Sequence, residues 1–461
     1  MTNRVFFNVT SSYNWHGAPV GIIRTEEEIA KRLYQIYSQR LHLCIWNGKF
    51  FENVNYKNYE DVIKNQVNIV TVQQNIVVNE KWIFPILPRR LAAKNAAQAV
   101  LSLCPNCFRP FVNDSLILAK KILKKILKHN KSSSIEINSD DKSQSDIDPF
   151  GIFEEGDLLV SAGLDWDSGV YENFYSLRVK KKVRIISFCY DIIPVLYPQY
   201  CVSDVASMFK SYFIELGDGS DVIMCISQRS MDDLRNLLDE LGARIPHLSL
   251  IRLGCDSIHT SQDAKISPEV GSVLKNDFIL FVSTVERRKN HEVLYRAYHR
   301  LLENNKNLDL PKLVFVGMKG WGVEELLQDI RLDPVIQNKI VMLGRVSDEE
   351  LNLLYEKTLF TLFPSLYEGW GLGVAESLLH GKFVLASSTG SLPEVGRDLI
   401  WYLDPWDVNA WVKSIKYLVE NKKKLKELEQ RIKEKYQPYS WQNSIEDLTN
   451  VINHLGLQKP H

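Results

Sequence analysis

The sequence of 461 residues has no apolar run of about 18 residues, the length that a helix needs to cross a bilayer. It has no net charge either, because 56 Lys and Arg residues balance 56 Asp and Glu residues, so no overall field favours nucleic acid. Its seven cysteines are scattered, which is typical of a reducing compartment. The first residues contain no long apolar segment, so we expect no secretory signal. Together these absences predict a cytoplasmic protein that has no transmembrane helix and does not bind nucleic acid.

Metal ligands are also sparse. Cys104 and Cys107 form a single C-x-x-C without a second pair or nearby histidines, so free thiols are favoured over a zinc site. We therefore expect no zinc site at this pair, and the resemblance described below implies that neither a metal nor a cofactor is needed.

The most informative stretch runs from Phe363 to Val395. Its pattern predicts a buried strand, a loop, a helix and a second strand, which together form one unit of a parallel sheet. The N-terminus of such a helix presents free N–H groups that favour an anion. Glu368 and Glu376 could be structural, because acidic residues near a helix start are common. Their combination with Trp370 and three glycines favours a ligand site; the glycines are Gly369, Gly371 and Gly373.

The N-terminal part of the chain contains a similar unit. A strand over residues 4–9 is followed by a polar loop, by Gly21 and by an amphipathic helix. Gly21 could bring the backbone close to a phosphate that Arg24 would reach. Alternatively, Gly21 only turns the chain and Arg24 pairs with Glu28 one helical turn later.

Another predicted strand, residues 183–189, leads into Tyr190 and Asp191. In doubly wound sheets, ligands bind beyond the carboxyl ends of the strands. Asp191 could therefore accept a proton or hold a sugar hydroxyl. It could equally cap the turn before Pro194, which is a frequent use of Asp.

A polar stretch at 251–271 is interpreted as a linker, because 461 residues exceed what one hydrophobic core usually supports. The strand after it is followed by the basic cluster Arg287, Arg288 and Lys289, and a helix should start near Asn290. Cations at a helix N-terminus oppose its dipole, and a bound diphosphate would explain them. The alternative is a basic patch on the surface.

Residues from about 60 to 150 appear irregular in sequence, with one exception. Residues 115–131 place apolar side chains on one helical face and lysines on the other, without interleaved acids. Such a helix can lie on an anionic membrane or pack against the core with its lysines in solvent, and the two interpretations carry equal weight.

These residues carry a family resemblance. The segments 283–290, 343–351 and 364–396 are similar to the nucleotide-sugar-binding half of family 4 retaining glycosyltransferases of the GT-B fold. Glu368 and Glu376 match the family's E-x7-E signature. The segments 20–25, 156–167 and 189–198 match the first half more loosely, and Ser440–Trp441 resembles the closing motif of the family.

The resemblance implies an α/β GT-B fold, in which two Rossmann-like doubly wound domains face each other across a cleft. The acceptor-binding domain would span 1–255, with an irregular insertion at about 80–150. The donor-binding domain would span 256–438, and a C-terminal helix at 439–461 would cross back to the first domain.

The resemblance also assigns roles to residues. Glu368 would contact the transferred sugar, Glu376 would hold the ribose hydroxyls, and Tyr190 and Asp191 would complete the catalytic set. Tyr190 departs from the family, which often has histidine there, and a phenol is a poorer base near neutral pH. The donor diphosphate would be neutralised by Arg288 and Lys289 without a metal. The remaining donor-binding residues would be Gly21, Arg345, Val346, Gly369, Gly371, Leu372 and Gly373.

The implied function is transfer of a hexose, with retention at the anomeric carbon, from a nucleotide diphosphate sugar to a saccharide or polyprenyl-linked saccharide. Similarity to bacterial surface-polysaccharide mannosyltransferases makes mannose from GDP-mannose the first hypothesis. The enzyme would be cytoplasmic, with residues 115–131 as a peripheral contact at the inner face of the membrane. Two alternatives stay open: another GT-B enzyme, such as a sugar-nucleotide epimerase or phosphorylase, and a non-catalytic module that binds nucleotide sugars.

Overall fold

The computed structural model describes residues 4–16, 21–73, 148–201, 205–256, 266–304 and 309–457, with the backbone alone over 65–73. The predicted basic helix at 115–131 and the pair Cys104 and Cys107 lie outside the described residues, as does most of the expected insertion.

The N-terminal half is built on a sheet of seven strands in the order β3-β2-β1-β4-β5-β6-β7. All neighbours are parallel except β2 and β3. The strands are β1 (Val5–Asn8), β2 (Leu41–Trp46), β3 (Phe51–Val54), β4 (Leu158–Ser161), β5 (Arg184–Cys189), β6 (Val222–Cys225) and β7 (His247–Leu250). The central strands β1, β4, β5 and β6 are buried at every position, as expected for parallel strands covered on both faces.

Helices flank this sheet. The described helices of this half are α1 (Thr10–Tyr13), α2 (Ile22–Tyr37), α3 (Tyr56–Gln73), α4 (Asp165–Ser168), α5 (Phe174–Lys180), α6 (Ile193–Leu196), α7 (Val205–Gly219) and α8 (Gln228–Glu240). Three-residue or four-residue 3-10 turns lie at Ser38–Arg40, Val170–Asn173 and Pro198–Tyr200.

The C-terminal half is built on a second sheet of six parallel strands in the order β10-β9-β8-β11-β12-β13. Its strands are β8 (Phe278–Val282), β9 (Lys312–Val316), β10 (Ile340–Leu343), β11 (Thr361–Phe363), β12 (Val384–Ser387) and β13 (Trp401–Leu403).

The described helices of the C-terminal half surround that sheet. They are α9 (Pro268–Val273), α10 (His291–Asn304), α11 (Glu324–Leu332), α12 (Asp348–Lys357), α13 (Leu372–Leu379), α14 (Leu392–Gly396), α15 (Val408–Glu420), α16 (Lys422–Lys435) and α17 (Trp441–Leu457). A 3-10 turn spans Arg287–Lys289, so the helix expected near Asn290 begins one residue later.

One part of the sequence interpretation is wrong. The backbone is helical over Tyr56–Gln73, where irregular structure was expected from residue 60. The apolar periodicity of this segment is weak, so the local pattern did not predict its helix. The short helix α9 begins within the last residues of the stretch at 251–271, whose interpretation as a linker stays a prediction.

The last helix packs on the N-terminal half. α17 contacts α2, and the backbone N–H of Trp441 donates to Asp256 Oδ1 at 3.1 Å. A Cβ on Gly254 would lie 2.3 Å from Trp441 N, so only glycine allows the backbone to pass this close to the start of the helix. The domain boundaries themselves stay predictions. Within the described parts of the chain, no helix is both long and apolar enough to span a membrane.

Candidate functional site

The stretch from Phe363 to Val395 forms the expected unit of β11, loop, α13 and β12. Gly371 precedes α13 with a φ of 113°, a left-handed conformation that favours glycine. Its carbonyl accepts the N–H groups of Val374 and Ala375 at 3.0 and 3.2 Å. The N–H groups of Leu372 and Gly373 belong to the first helical turn, which has no acceptors within the helix. These N–H groups are therefore available to hydrogen-bond a ligand beyond the carboxyl end of β11.

The other two glycines are required by packing inside the protein. A Cβ on Gly373 would lie 2.4 Å from the ring of Phe363, and one on Gly369 would lie 2.6 Å from Tyr190 O. Neither distance is sterically allowed. Glycine is therefore required for packing at both positions, and this does not exclude a ligand at the neighbouring N–H groups.

Glu368 lies in an ion-pair cluster with the two basic residues that follow β8. Lys289 Nζ donates to Glu368 Oε1 at 2.6 Å, and Arg288 Nη1 donates to Oε2 at 3.0 Å. Arg288 also donates to Glu286 at 2.6 Å and to the Tyr367 carbonyl at 2.7 Å. The side chains of Glu368, Arg288 and Lys289 are only 12%, 16% and 19% exposed, so water screens these pairs weakly.

This cluster changes the electrostatics of the glutamate. Burial by itself would raise the pKa of Glu368, but the opposing charges of Lys289 and Arg288 are stronger and lower it to about 2. For Glu286, burial is the larger effect and raises the pKa in spite of Arg288. The surface-patch interpretation of the basic cluster is wrong for Arg288 and Lys289, because both are largely buried.

Tyr190 and Asp191 face this cluster from the other half of the molecule. The loop at Gly369 touches both, and Asp191 Oδ2 would lie 3.2 Å from a Cβ on that glycine. Burial raises the pKa of Asp191, while Arg288 opposes the rise. The structure thus brings Asp191 beside Glu368 and the basic pair, although they are distant in sequence.

Both side chains also have local partners. Asp191 Oδ1 accepts the N–H of Ile193 at 2.9 Å, which is the turn-capping role considered from the sequence. The hydroxyl of Tyr190 donates to the Ala162 carbonyl at 2.6 Å, and burial raises its pKa well above the usual range. The phenol is therefore held as a neutral hydrogen-bond donor.

Glu376 lies on α13 in a second part of the cleft. It accepts a hydrogen bond from Tyr355 at 2.8 Å, and burial raises its pKa despite that bond. The ring of Tyr355 stacks on His380 with centroids 5.1 Å apart. The ring of His380 lies 2.6 Å from Asn352 Oδ1 and 2.7 Å from the Glu376 carbonyl. This network orients the Glu376 carboxylate.

Gly21 and Arg24 line the same cleft from the N-terminal half. The part of the cleft that they line also includes Leu351, Asn352, Tyr355 and Glu376 of the C-terminal half. Glu28 pairs with Arg32 on α2, so the suggested pair of Glu28 with Arg24 is not formed. Arg24 instead lies close enough to Glu376 for its charge to oppose the rise in the pKa of that carboxyl that burial causes.

Arg345 and Val346 follow β10, at the same edge of the sheet. Arg345 is exposed, and Val346 packs partly against the cluster of apolar residues around β8 and β9. The lining of the cleft at Glu376 comes instead from Leu351 and Asn352 of the next helix.

Sequence reasoning did not identify Tyr355, Asn352 and His380, or the N-terminal residues Arg229 and Asp233 that bind Tyr367. His380 lies within the segment 364–396 that carries the resemblance, but its contact with Asn352, like those of the other residues, forms only through the fold. Among the described residues, no group of three or more His, Cys, Asp or Glu side chains could hold a metal ion.

Comparison with protein families shows that residues 262–435 match "Glycosyl transferases group 1". The chain is similar to the O-antigen chain mannosyltransferase B of Escherichia coli, with 29% identity over 251 residues, 53% of this chain and 64% of the relative. It is also similar to the serotype-specific mannosyltransferase WbdA of Escherichia coli, with 24% identity over 46% of this chain and 27% of the relative. The matched region therefore spans less than two-thirds of these curated relatives.

Solved structures resemble the whole chain. HepE from Anabaena, determined in complex with UDP and glucose, superimposes with a TM-score of 0.58 at 13% identity, covering 98% of this chain and 100% of that one. Sucrose-phosphate synthase from Thermosynechococcus elongatus gives a TM-score of 0.58 at 14% identity, covering 98% and 99%. With the two parallel-strand sheets, these likenesses confirm the predicted GT-B fold.

Proposed function

We propose that the protein is a retaining hexosyltransferase, and the match of residues 262–435 to the glycosyl transferases of group 1 supports this. It would move a hexose from a nucleotide diphosphate sugar to a hydroxyl of a saccharide or of a lipid-linked saccharide. The mannosyltransferase relatives support mannose from GDP-mannose as the first donor to test.

One observation carries the proposal. Arg288 and Lys289 converge with Glu368 beyond the ends of β8 and β11, and Asp191 of the opposite half faces them across the cleft. This places cations, a carboxylate that stays ionised at neutral pH and a second carboxylate around one point. The same arrangement would be needed to hold a diphosphate leaving group beside a sugar.

The basic pair keeps the capacity to bind an anion. Lys289 donates one of its three N–H bonds to Glu368, and Arg288 uses three hydrogen bonds while guanidinium has five donors. The remaining donors, together with the N–H groups at the start of α13, would stabilise charge that develops on the departing diphosphate. A metal would not be required for that task.

The proposed reaction breaks the bond between the anomeric carbon and the phosphate oxygen, and it forms a bond from that carbon to the acceptor oxygen on the same face. The acceptor proton goes to the departing phosphate. Glu376, oriented by Tyr355, would hold the ribose hydroxyls, and Glu368 would contact the sugar. Tyr190 would position the Asp191 loop, because its own hydroxyl is bound to Ala162.

We also propose a cytoplasmic location at the membrane surface. The support is the sequence of residues 115–131 alone, whose lysine face suits anionic lipid. A polyprenyl-linked acceptor would be presented at that surface.

The test begins with thermal stabilisation by UDP-, GDP- and dTDP-sugars, since a ligand at 100 times its Kd adds about 2.7 kcal/mol. Transfer is then measured with the stabilising donor, and NMR of the product reports the anomeric configuration. We expect Glu376→Ala and Lys289→Ala to abolish transfer while the variants remain folded, and Glu292→Ala on the exposed side of α10 to be fully active. Wild-type turnover in Glu376→Ala would exclude the site assignment. Donor binding without transfer or donor hydrolysis would indicate a non-catalytic module.

A further inference from the structure

Tyr367 reaches from the C-terminal half into a socket of the N-terminal half formed by Tyr197, Arg229 and Asp233. Its ring centroid lies 5.1 Å from that of Tyr197, and the guanidinium of Arg229 lies 5.7 Å above the ring. Its hydroxyl donates to Asp233 and receives a hydrogen bond from Arg229 Nε at 3.2 Å. Tyr367 is 3% exposed, so its side chain is enclosed by the other half.

Helix α8 supplies Arg229 and Asp233 of this socket, and its N-terminus also contacts Glu394 of the C-terminal half. Glu394 accepts the N–H groups of Gln228 and Arg229, each at 2.8 Å, and Ser227 accepts that of Ser230 at 2.9 Å. The donors at this helix start are thereby satisfied, two of them by the opposite half. The negative charge of Glu394 also complements the helix dipole.

A third contact lies between these two. The hydroxyl of Ser230 is 3.1 Å from Tyr190 O and 3.3 Å from Gly369 O, so it lies between the two facing loops. The start of α8 therefore touches the C-terminal half at Tyr367, Gly369 and Glu394. The first two flank Glu368 in sequence.

We infer that Tyr367 and its socket are positioning elements that place Glu368 opposite Asp191 when the two halves are closed. This inference rests on the proposed function, because it concerns the same cleft. Glu368 is bonded to the basic pair of its own half, so nothing in that pair fixes its distance from Asp191. The contacts of α8 do so, and small displacements of reacting groups reduce rates strongly.

These contacts between α8 and the C-terminal half suit a cleft that closes and opens reversibly. They are mainly hydrogen bonds and one aromatic pair, and the side chain of Arg229 remains 49% exposed. Opening would let water replace the polar partners. Closing of the cleft and placement of Glu368 would then be one event.

The test uses Tyr367→Phe, which removes the hydroxyl but keeps the ring, and Asp233→Ala, which removes the oxygen that accepts its hydrogen bond, singly and together. We expect each single variant to lower kcat by about 10-fold or more, the scale of a lost hydrogen bond to a charged group. Free GDP or UDP should bind with an affinity within about twofold of wild type, since the nucleotide would lie near Glu376. The double variant should be little worse than either single one, because both remove the same hydrogen bond.

A matched control is available within the C-terminal half. Tyr295 donates to Asp333 at 2.9 Å, and Tyr295→Phe removes a tyrosine–aspartate bond that does not join the halves. We expect its kcat to equal that of wild type. A purely structural role for Tyr367 would lower the melting temperature and the folded fraction without changing kcat per folded molecule, and that result would overturn the inference.

Small-angle scattering separates this inference from the proposed function. Combining Tyr367→Phe with Glu394→Gln should increase the radius of gyration relative to wild type, whether or not transfer is detected. An unchanged radius would contradict the closing role. If wild type transfers no sugar from any donor, the proposed function fails, and scattering still decides whether the socket holds the halves together.

Discussion

The substitution Glu368→Gln tests the electrostatics of the site most directly. The carboxylate is nearly buried and is bonded to Lys289 and Arg288, whose charges overcome its burial and lower its pKa from the ordinary 4.5 to about 2. This lowering of the pKa corresponds to about 3 kcal/mol of folding stability at pH 7. Gln has nearly the same shape but no charge, so it should forfeit most of this contribution.

The sign with pH follows from the same difference. Because the folded-state pKa is lowered, the stabilisation is complete above the unfolded-state value of 4.5 and is lost as the pH falls towards 2. The gap between wild type and Glu368→Gln should be about 3 kcal/mol at pH 7 and less than half of that near pH 3. Urea unfolding at several pH values measures both quantities.

An exposed pair serves as the control. Glu292 and Arg296 lie one turn apart on α10 with side chains 57% and 59% exposed, and such pairs contribute about 0.5 kcal/mol or less. Glu292→Gln should therefore change stability little at any pH. A loss below about 1 kcal/mol in Glu368→Gln at pH 7, or a loss that persists unchanged near pH 3, would refute the electrostatic account.

Two further predictions concern other positions. Burial raises the pKa of Glu26 from 4.5 to about 8, although the backbone N–H and the hydroxyl of Ser12 donate to it at 2.7 and 2.6 Å. Because the folded-state pKa is raised, this residue does not destabilise the protein below pH 4.5, and the protein loses stability as the pH rises from 4.5 to 8. Urea unfolding at pH 8 should show Glu26→Gln to be more stable than wild type by up to about 4 kcal/mol, with no gain near pH 4, and a net loss at pH 8 would contradict this. In Gly369→Ala, the new methyl group would lie 2.6 Å from Tyr190 O and 2.9 Å from Asp191 Cβ, so transfer should fall at least about 10-fold and stability by about 1–3 kcal/mol. Gly456→Ala, which meets nothing within 4 Å, is the control for transfer and melting, and equal behaviour of the two variants would disprove the contact.

The sequence by itself determined the α/β character and most of the elements around the site. The run preceding Tyr190 became β5, and the stretch from Phe363 to Val395 became the expected strand, loop, helix and strand. Such elements can be predicted because they depend on apolar runs and glycines that lie within a few residues of one another. The helix over Tyr56–Gln73 was missed because its periodicity is weak.

Only the tertiary structure decided how the candidate residues are combined. Arg288 and Lys289 both pair with Glu368, which the sequence did not predict, while their expected role at a diphosphate stays a prediction. The socket for Tyr367 joins residues 134 positions apart in the chain. Pairings of this kind depend on which loops the two sheets bring to one cleft, and local sequence carries no information about that arrangement. The physical reason is that the hydrogen bonds and ion pairs of a side chain depend on its distance from other groups and on its burial, and both depend on how the two sheets pack.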